Sequence, residues 1–594
     1  MSRLEIASPK KAKIVMEGLY KDLERRIESS PPGLCPVDMA RAFLELCHAQ
    51  TCGKCVPCRI GLGQLNNFIR EVLDGKATMK TLDIMEQTAL SIMESADCAI
   101  GYEAANMVYK GLIGYRDDYV EHIQNGRCTC TYNQPVPCVS LCPAHVDIPG
   151  YVALVGEGRY ADAIRLLRKD NPFPTTCGFI CEHPCEARCR RNMVDDSINI
   201  RGLKRVAADF AGEVDPPQCA PDTGKKIAIL GGGPGGLSAA YYLQLMGHQT
   251  TVYEMLPKLG GMLRYGIPNY RLPKDRLDDD IRAILKTGVQ VKNGLKIGQD
   301  ITIQQLRQEY DVVLITIGAS TDKKLGLENE DADGILSAVQ FLRNVGKNQI
   351  MDLTGKEVAV IGGGNVSMDA VRTAKRLGAK KVSIVYRRRV ADMTALPGEI
   401  DGAVAEGIEL QTLKAPSSID VDENHHVKGI YVTPQMVSSI RDGRASIKPT
   451  GEEDIYIPCD VLIVAIGQNI ETHHFEQAGI PVERGKIVTK STGAFENLPG
   501  VFAGGDCASG PASVIKAIAA AKVVAANIDE YLGYHHEISC DVEIPKASLH
   551  DRVPCGRAEL TEREACERVC DFEGVENCMT EKEAKQEDVL SLPQ

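Results

Sequence analysis

KIAILGGGPGGLSAAYYL, residues 226–243, decides the fold of the larger part of the chain. The apolar run Ile227–Leu230 leads into Gly231, Gly233 and Gly236 at GxGxxG spacing, with Gly235 among them, and a helical pattern follows. Glycines at these places permit a tight turn, let the backbone approach a pyrophosphate and leave the anion on the helix N-terminus. The next strand-like run ends in Glu254, at the distance where an acid meets a ribose hydroxyl. Strand, glycines, helix and acid together specify a βαβ dinucleotide fold.

A second copy lies downstream. In VAVIGGGNVSMDAVRTAKRLG, residues 358–378, Gly362 and Gly364 are in register, Asn365 and Val366 follow, and Ser367 takes the third small position. The next strand, KVSIVYRRR, ends in Arg387-Arg388-Arg389 instead of an acid. Guanidinium groups suit a 2′-phosphate, so NADP(H) is expected over NAD(H), a solvated basic strand end being the alternative. Thr251–Tyr253, Val312–Thr316, Val382–Val385 and Val461–Ile466 are further β-branched runs leading to Gly-rich turns or helical patterns, as a parallel sheet requires.

Gly500-VFAGGDCASGPASVIKAIAAAK carries Asp506 between a strand-like and a helical run, and Thr316-IGAS, Ala465-IGQN and Leu263-RYGIPNYRLP read as strand-to-turn segments. With the two glycine motifs, these resemble the two-dinucleotide-fold flavoprotein reductases, whose FAD domain is split around an inserted NAD(P) domain. The Leu263 loop is similar to the flavin-facing loop of the glutamate synthase small subunit branch. The resemblance implies FAD bound by Gly231, Gly233, Gly235, Gly236, Glu254, Gly261, Arg264, Arg271, Gly505, Asp506, Ser513 and Val514. It implies NADP(H) bound by Gly362, Gly364, Asn365, Val366, Ser367, Arg387, Arg388 and Gly467. Hydride would pass between nicotinamide and flavin, so no protein acid or base is expected. No CxxC lies near the flavin stretches, which argues against thioredoxin reductase-like chemistry.

The 594 residues leave room for roughly three to five domains. No apolar run reaches the length of a bilayer span and the N-terminus lacks a secretory pattern, so a cytoplasmic location is expected. A net charge of −12 argues against a nucleic-acid binder. The 22 cysteines point to metal ligation or redox chemistry, because 12 of them cluster between Cys52 and Cys189. Residues 1–34 read as one charged amphipathic helix, and residues 39–123 are helical in spacing. Residues 127–191 are turn-rich around one helix, Tyr151–Leu167, and the tail beyond Tyr534 is loop-like.

Cys52, Cys55 and Cys58 share one loop, and Cys98 follows 40 positions on, which suits a [4Fe-4S] cube, with zinc the alternative. Residues 51–123 resemble the helical cluster domain of the NADH-binding subunit of respiratory complex I, which implies one [4Fe-4S] cluster. Cys128, Cys130, Cys138 and Cys142, then Cys177, Cys181, Cys185 and Cys189, resemble the N-terminal domain shared by three proteins. These are the glutamate synthase small subunit, dihydropyrimidine dehydrogenase and the NADPH-binding subunit of ferredoxin-dependent transhydrogenases. That resemblance implies two more clusters, Cys138 and Cys189 serving one, and Cys142, Cys181 and Cys185 the other. Asn133 stands where the family's opening CxxC needs a Cys, so Cys128 or a rearranged loop must supply that ligand. In the tail, Cys555, Cys566, Cys570 and Cys578 are candidates for a fourth cluster, unbound thiols being the alternative. His145 and His183 adjoin ligands and are expected in turns.

The expected plan is α/β, with two Rossmann-like domains preceded by two α-helical iron–sulfur domains. The divisions are 1–125 (complex I-like cluster), 126–218 (paired clusters), 219–350 and 481–535 (FAD), 351–480 (NAD(P)) and 536–594 (tail). The expected role is an FAD- and iron–sulfur-dependent NADP(H) oxidoreductase subunit. It would serve a transhydrogenase, bifurcating or not, or a linked hydrogenase or formate dehydrogenase. The implied partners are an NADH/FMN iron–sulfur subunit and, indirectly, ferredoxin. A glutamate synthase small subunit is the first alternative, against which the extra N-terminal module argues. A non-catalytic wiring subunit is the second, against which Gly364, Arg387 and Arg388 argue.

Overall fold

Runs of Val, Ile, Leu and Ala buried on both faces form parallel strands, because only helices on either side can cover them. In the computed structural model these strands are, in chain order, β1 Lys226–Leu230, β2 Gln249–Glu254, β3 Gln290–Asn293, β4 Val312–Ile315, β5 Ile335–Ser337, β6 Glu357–Ile361, β7 Lys381–Tyr386, β8 Glu409–Thr412, β9 Val461–Val464 and β10 Val501–Ala503. The structure describes residues 35–126, 136–187, 189–193, 196–441, 444–545 and 556–589, with Met16, Gly18 and Leu19. The helix expected over residues 1–34 thus lies almost wholly outside the described residues.

The strands build two parallel sheets, ordered β10-β4-β1-β2-β3 and β5-β9-β6-β7-β8. β10 returns to the first sheet after the second is complete, so the first unit is interrupted by the second. By pairing, β5 belongs to the second sheet although it precedes residue 351. The two crossings between units, Thr321–Asp322 and Gln468–Asn469, pair antiparallel with each other. Beside the second sheet lies an antiparallel sheet of Lys414–Val421, Val427–Arg441, Arg444–Pro449 and Ile455–Pro458, which the sequence pattern did not announce.

Ahead of the sheets the described chain is helical. Pro36–Ala49, Leu62–Leu73, Met79–Ser95 and Ala99–Gly114 close on a core that includes Phe43, Leu65, Met85 and Val108. The single helix expected at Tyr151–Leu167 is two, Ile148–Gly156 and Tyr160–Asp170. Gly158 between them sits at φ +76°, a left-handed conformation that ends the first helix. These helices share one core with the first sheet's helices, where Tyr151, Leu167 and Phe173 join Leu237, Ile281 and Ile518. The tail is not simply loop: Ala565–Arg568 and Glu581–Val589 are helical. Among the described residues, no helix is long and apolar enough to cross a membrane.

Candidate functional site

Each dinucleotide loop is shaped by contacts that only small residues allow. Gly231 has φ +111°, and a Cβ there would meet the Thr316 carbonyl oxygen at 2.6 Å. A Cβ on Gly236 would stand 1.9 Å from the Gly231 oxygen. Gly233 caps the helix Pro234–Leu245, whose free N–H groups and positive dipole end are where an anion would sit. Glu254 is buried at the end of β2 and accepts from the N–H of Gly232 (2.7 Å) and Leu256 (2.8 Å). Burial raises its carboxyl above the usual range despite those bonds.

Gly505 (φ +75°) sets Asp506 after β10, where burial pushes the Asp506 carboxyl up to about 6. Ser513 then caps the helix Val514–Tyr531. Gly261 packs on the first glycine loop, since a Cβ there would lie 2.8 Å from the Gly233 Cα. Arg264 is buried and turned toward the Leu259 carbonyl and Asp278. Arg271, expected at the cofactor, instead reaches the second unit. Its guanidinium meets Asp369 at 3.0 Å and Glu399 at 2.8 Å.

In the second unit Gly364 caps the helix Asn365–Arg376, and a Cβ on Gly362 would strike the Ala465 oxygen at 2.3 Å. Ser367, fully buried, directs its hydroxyl at that same carbonyl, 3.5 Å away, which is how serine replaces the third glycine. A cleft of about 710 Å³ is lined by Gly362, Gly364, Asn365, Val366, Arg387, Arg388 and Gly467. Pro511 and Ala512, from the Asp506 loop of the first unit, line the same cleft. Arg387 is exposed, and Arg388 is half-buried, its Nε donating to the Ala445 carbonyl at 3.1 Å. Arg389 is committed elsewhere. It grips Asp392 at 2.8 Å and holds that carboxyl well below the usual range.

The N-terminal thiols gather at two helix starts. Cys98 caps Ala99–Gly114, and Cys58 lies in the π-helical turn Pro57–Gly61. Cys52 is exposed, Cys55 and Cys98 half-buried, Cys58 buried. A Cβ on Gly101 would stand 2.5 Å from the Cys58 Sγ, so the helix backbone closes directly on this group. Burial raises Cys55, but the N–H groups of Cys58 and Asp97 aimed at it outweigh that and bring its thiol below the usual range. Four neighbouring thiols, with backbone donors turned toward Cys55, are surroundings that suit a [4Fe-4S] cube.

Cys142, Cys177, Cys181 and Cys185 stand around the fully buried Lys204. Burial works against its charge, and the neighbouring cysteines, Cys181 and Cys177 foremost, more than offset that. Cys177 thus joins the three thiols grouped by resemblance. Its helix, Pro174–Ile180, is capped from the first dinucleotide unit, where buried Asp280 accepts from the N–H of Thr175 (3.3 Å) and Thr176 (2.7 Å). Cys189 is buried and bonded separately, by the N–H groups of Ile198 and Arg191. Cys128, Cys130 and Cys555 lie outside the described residues. His145 and His183 adopt positive φ (51° and 41°), the geometry of turns. In the tail, Cys566 and Cys570 are exposed, while Cys578 is half-buried with its thiol pushed up to about 12 by burial beside Asp209.

Sequence reasoning missed Lys204, Asp280 and Glu182. Glu182 lies between two ligand candidates yet touches Asn365 at the second glycine loop, Oε1 to Nδ2 at 3.2 Å. Its adjacency to Cys181 was the one signal available. Lys204 and Asp280 look like ordinary polar positions on amphipathic helices.

Comparison with known proteins agrees with this anatomy. Residues 225–521 match the pyridine nucleotide-disulphide oxidoreductase family. Residues 38–122 match the NADH-ubiquinone oxidoreductase-F iron-sulfur binding region, and 114–215 match dihydropyrimidine dehydrogenase domain II, 4Fe-4S cluster. The NADP(+)-dependent formate dehydrogenase subunit beta of Moorella thermoacetica is 32% identical, covering 90% of this chain and 87% of its own. The NADPH-Fe(3+) oxidoreductase subunit beta of Geobacter sulfurreducens is 33% identical over 88% and 84%. The glutamate synthase [NADPH] small chain of Escherichia coli is 33% identical over 66% of this chain and 88% of its own. The chain therefore belongs to the pyridine nucleotide-disulphide oxidoreductase family, as an FAD- and NADP(H)-dependent oxidoreductase fused behind 4Fe-4S binding regions.

Proposed function

We propose that this chain is the NADP(H)-handling subunit of a cytoplasmic, multi-subunit electron-transfer complex, a transhydrogenase or an assembly built on a formate dehydrogenase or hydrogenase. The observation that carries the reading is the shared cleft, in which Gly364, Arg387 and Arg388 face Pro511 and Ala512 of the other unit. The N-terminus of helix Asn365–Arg376 receives the pyrophosphate, Arg387 and Arg388 the 2′-phosphate, and the opposite wall belongs to the loop that carries Asp506. Gly231, Gly233, Glu254 and Asp506 hold the FAD. When bound, the flavin exchanges a hydride with the nicotinamide and the clusters carry single electrons.

Cys52, Cys55, Cys58 and Cys98 hold the outermost cluster, and their surroundings fit a docking contact. Cys52 is exposed, and the flanking Val56 and Ile60 leave 57% and 53% of their surface open. An NADH/FMN iron–sulfur subunit is the partner this favours. The relatives that match nearly the whole chain are named as beta subunits of a formate dehydrogenase and an Fe(3+) oxidoreductase, which weighs against a glutamate synthase. The test is anaerobic titration of the purified holoprotein with NADPH. Bleaching of the flavin band supports the reading, and an unchanged spectrum overturns it. Purification of the native complex tests the partner. An FMN subunit is expected, and a glutamine-dependent large subunit would refute the assignment.

A further inference from the structure

Residues 562–579 touch three parts of the molecule at once. Arg568, only 4% exposed, donates from Nε to Glu406 Oε1 at 3.0 Å. Glu406 is shared with Arg372 (2.7 Å) and Arg376 (2.6 Å), at the end of the helix whose other end, Gly364, lines the dinucleotide cleft. Burial would raise the Glu406 carboxyl, and the Arg376 and Arg372 guanidiniums more than reverse it.

A few residues on, the tail grips the loop that carries Arg271. The Asn269 side chain donates to the Phe572 carbonyl, and the Val575 N–H donates to the Tyr270 carbonyl, both at 3.0 Å. The Tyr270 ring lies against Phe572 on one side and beneath the Arg376 and Arg372 guanidiniums, 4.0 and 5.2 Å from its centroid. Glu576 then takes Arg201 of the paired-cluster region in a two-pronged ion pair (3.0 and 2.6 Å).

The seam is charged and buried, and this decides its character. A slippery apolar seam lets two domains shear, whereas a buried network is satisfied in one arrangement and leaves stranded charges in any other. Turning the second unit away would strip Arg271 of both carboxylates and Glu406 of Arg568. We propose that residues 562–579 are a clasp that fixes the second dinucleotide unit against the first, with Arg568 a positioning residue for hydride transfer. The inference rests on the cleft being the NADP(H) site.

The test compares wild type, Arg568→Ala and Arg568→Lys as full-length holoproteins. Arg568→Ala leaves Glu406 two guanidiniums, so flavin and iron contents should match wild type. NADPH affinity should stay within about threefold, while the rate of flavin reduction at saturating NADPH falls by roughly ten- to a hundredfold and Arg568→Lys recovers part of it. Amide exchange at Val575 and along residues 365–376 should quicken in Arg568→Ala. A reduction rate like wild type overturns the proposal, and so does a joint fall of rate and cofactor content, which marks a folding role alone. If NADPH fails to reduce the wild type, the functional reading falls, and unchanged exchange at Val575 would then overturn the clasp separately.

Discussion

Replacing Arg387 and Arg388 by alanine should convert an NADPH-selective cleft into an indifferent one. Arg387 is exposed and makes no ion pair among the described residues, so its bond to a 2′-phosphate is screened and worth about 1 kcal/mol, or about fivefold. Arg388 is half-buried and already aimed by the Ala445 carbonyl, so less ordering is lost on binding, and about 2 kcal/mol, or about thirtyfold, is expected. The double variant should therefore bind NADPH roughly a hundredfold more weakly, with NADH affinity nearly unchanged, because both terms act on a group NADH lacks. Anaerobic titration of the flavin band with each nucleotide measures both. Equal weakening of NADPH and NADH would refute the assignment of these arginines to the 2′-phosphate. No weakening of either would show them to be a solvated strand end.

Gly101→Val should delete the outermost cluster alone, since a side chain there occupies the space 2.5 Å from the Cys58 Sγ. Iron should fall by about four atoms per chain while the flavin stays, and a full iron count would sink the idea. Lys204→Met removes a buried cation from among four thiols, so the cluster on Cys142, Cys177, Cys181 and Cys185 should shift to a lower potential, on the order of 100 mV. Redox titration followed by electron paramagnetic resonance measures it, and an unshifted midpoint contradicts the placement. Burial lifts Asp280 from its ordinary 3.8 to about 6, so its folded form favours the proton. That stabilisation is full below about 3.8 and is lost as pH rises through about 6, a change of about 3 kcal/mol at most. Asp280→Asn should flatten the corresponding slope in denaturant unfolding between those values, and an unaltered slope would count against it.

The glycine motifs made the two parallel sheets legible, because Gly231, Gly236 and Gly362 answer to steric demands that no other residue meets. Ser367 was legible for the same reason, smallness. The Cys positions gave the cluster regions through spacing. Arg271 was expected at the cofactor because a cationic residue beside a flavin loop looks like a cofactor contact, while its ion pairs with Asp369 and Glu399 are brought about only by the tertiary fold and left no trace in the sequence. Lys204 was invisible for a related reason. A lysine on an amphipathic helix looks solvated, and the four thiols that hold it come from three separate segments. The antiparallel sheet at 414–458 escaped because its strands are half-exposed and mixed in polarity, so neither buried runs nor clean alternation mark them. The tail was read as loop since its few buried apolar residues, Val575, Met579 and Ala584, are widely spaced and its other contacts are ion pairs and backbone bonds, which leave no apolar periodicity.

We propose an order for the centres from the packing. Cys98 caps one end of the helix Ala99–Gly114, and its 16 residues at about 1.5 Å each span about 24 Å. At the other end a Cβ on Gly114 would meet the Ala187 carbonyl at 2.7 Å, so that end abuts the turn between Cys185 and Cys189. Tunnelling falls exponentially with distance, and a direct hop along the helix to the flavin unit would be far slower than hops between neighbouring centres. The thiols that flank Ala187 are where the intervening centres belong. Cys189 is bonded apart from the Lys204 group, and the Lys204 group is fastened by Asp280 to the first dinucleotide unit and by Glu182 to the second. On the proposed pairing, a Cys138 and Cys189 centre would stand on the side of the N-terminal helices, and a Cys142, Cys177, Cys181 and Cys185 centre on the side of the first dinucleotide unit. Among the described residues, Glu182 meets Asn365 and so brings a cluster loop against the second dinucleotide loop, where the proposed single-electron chain would approach the two-electron chemistry.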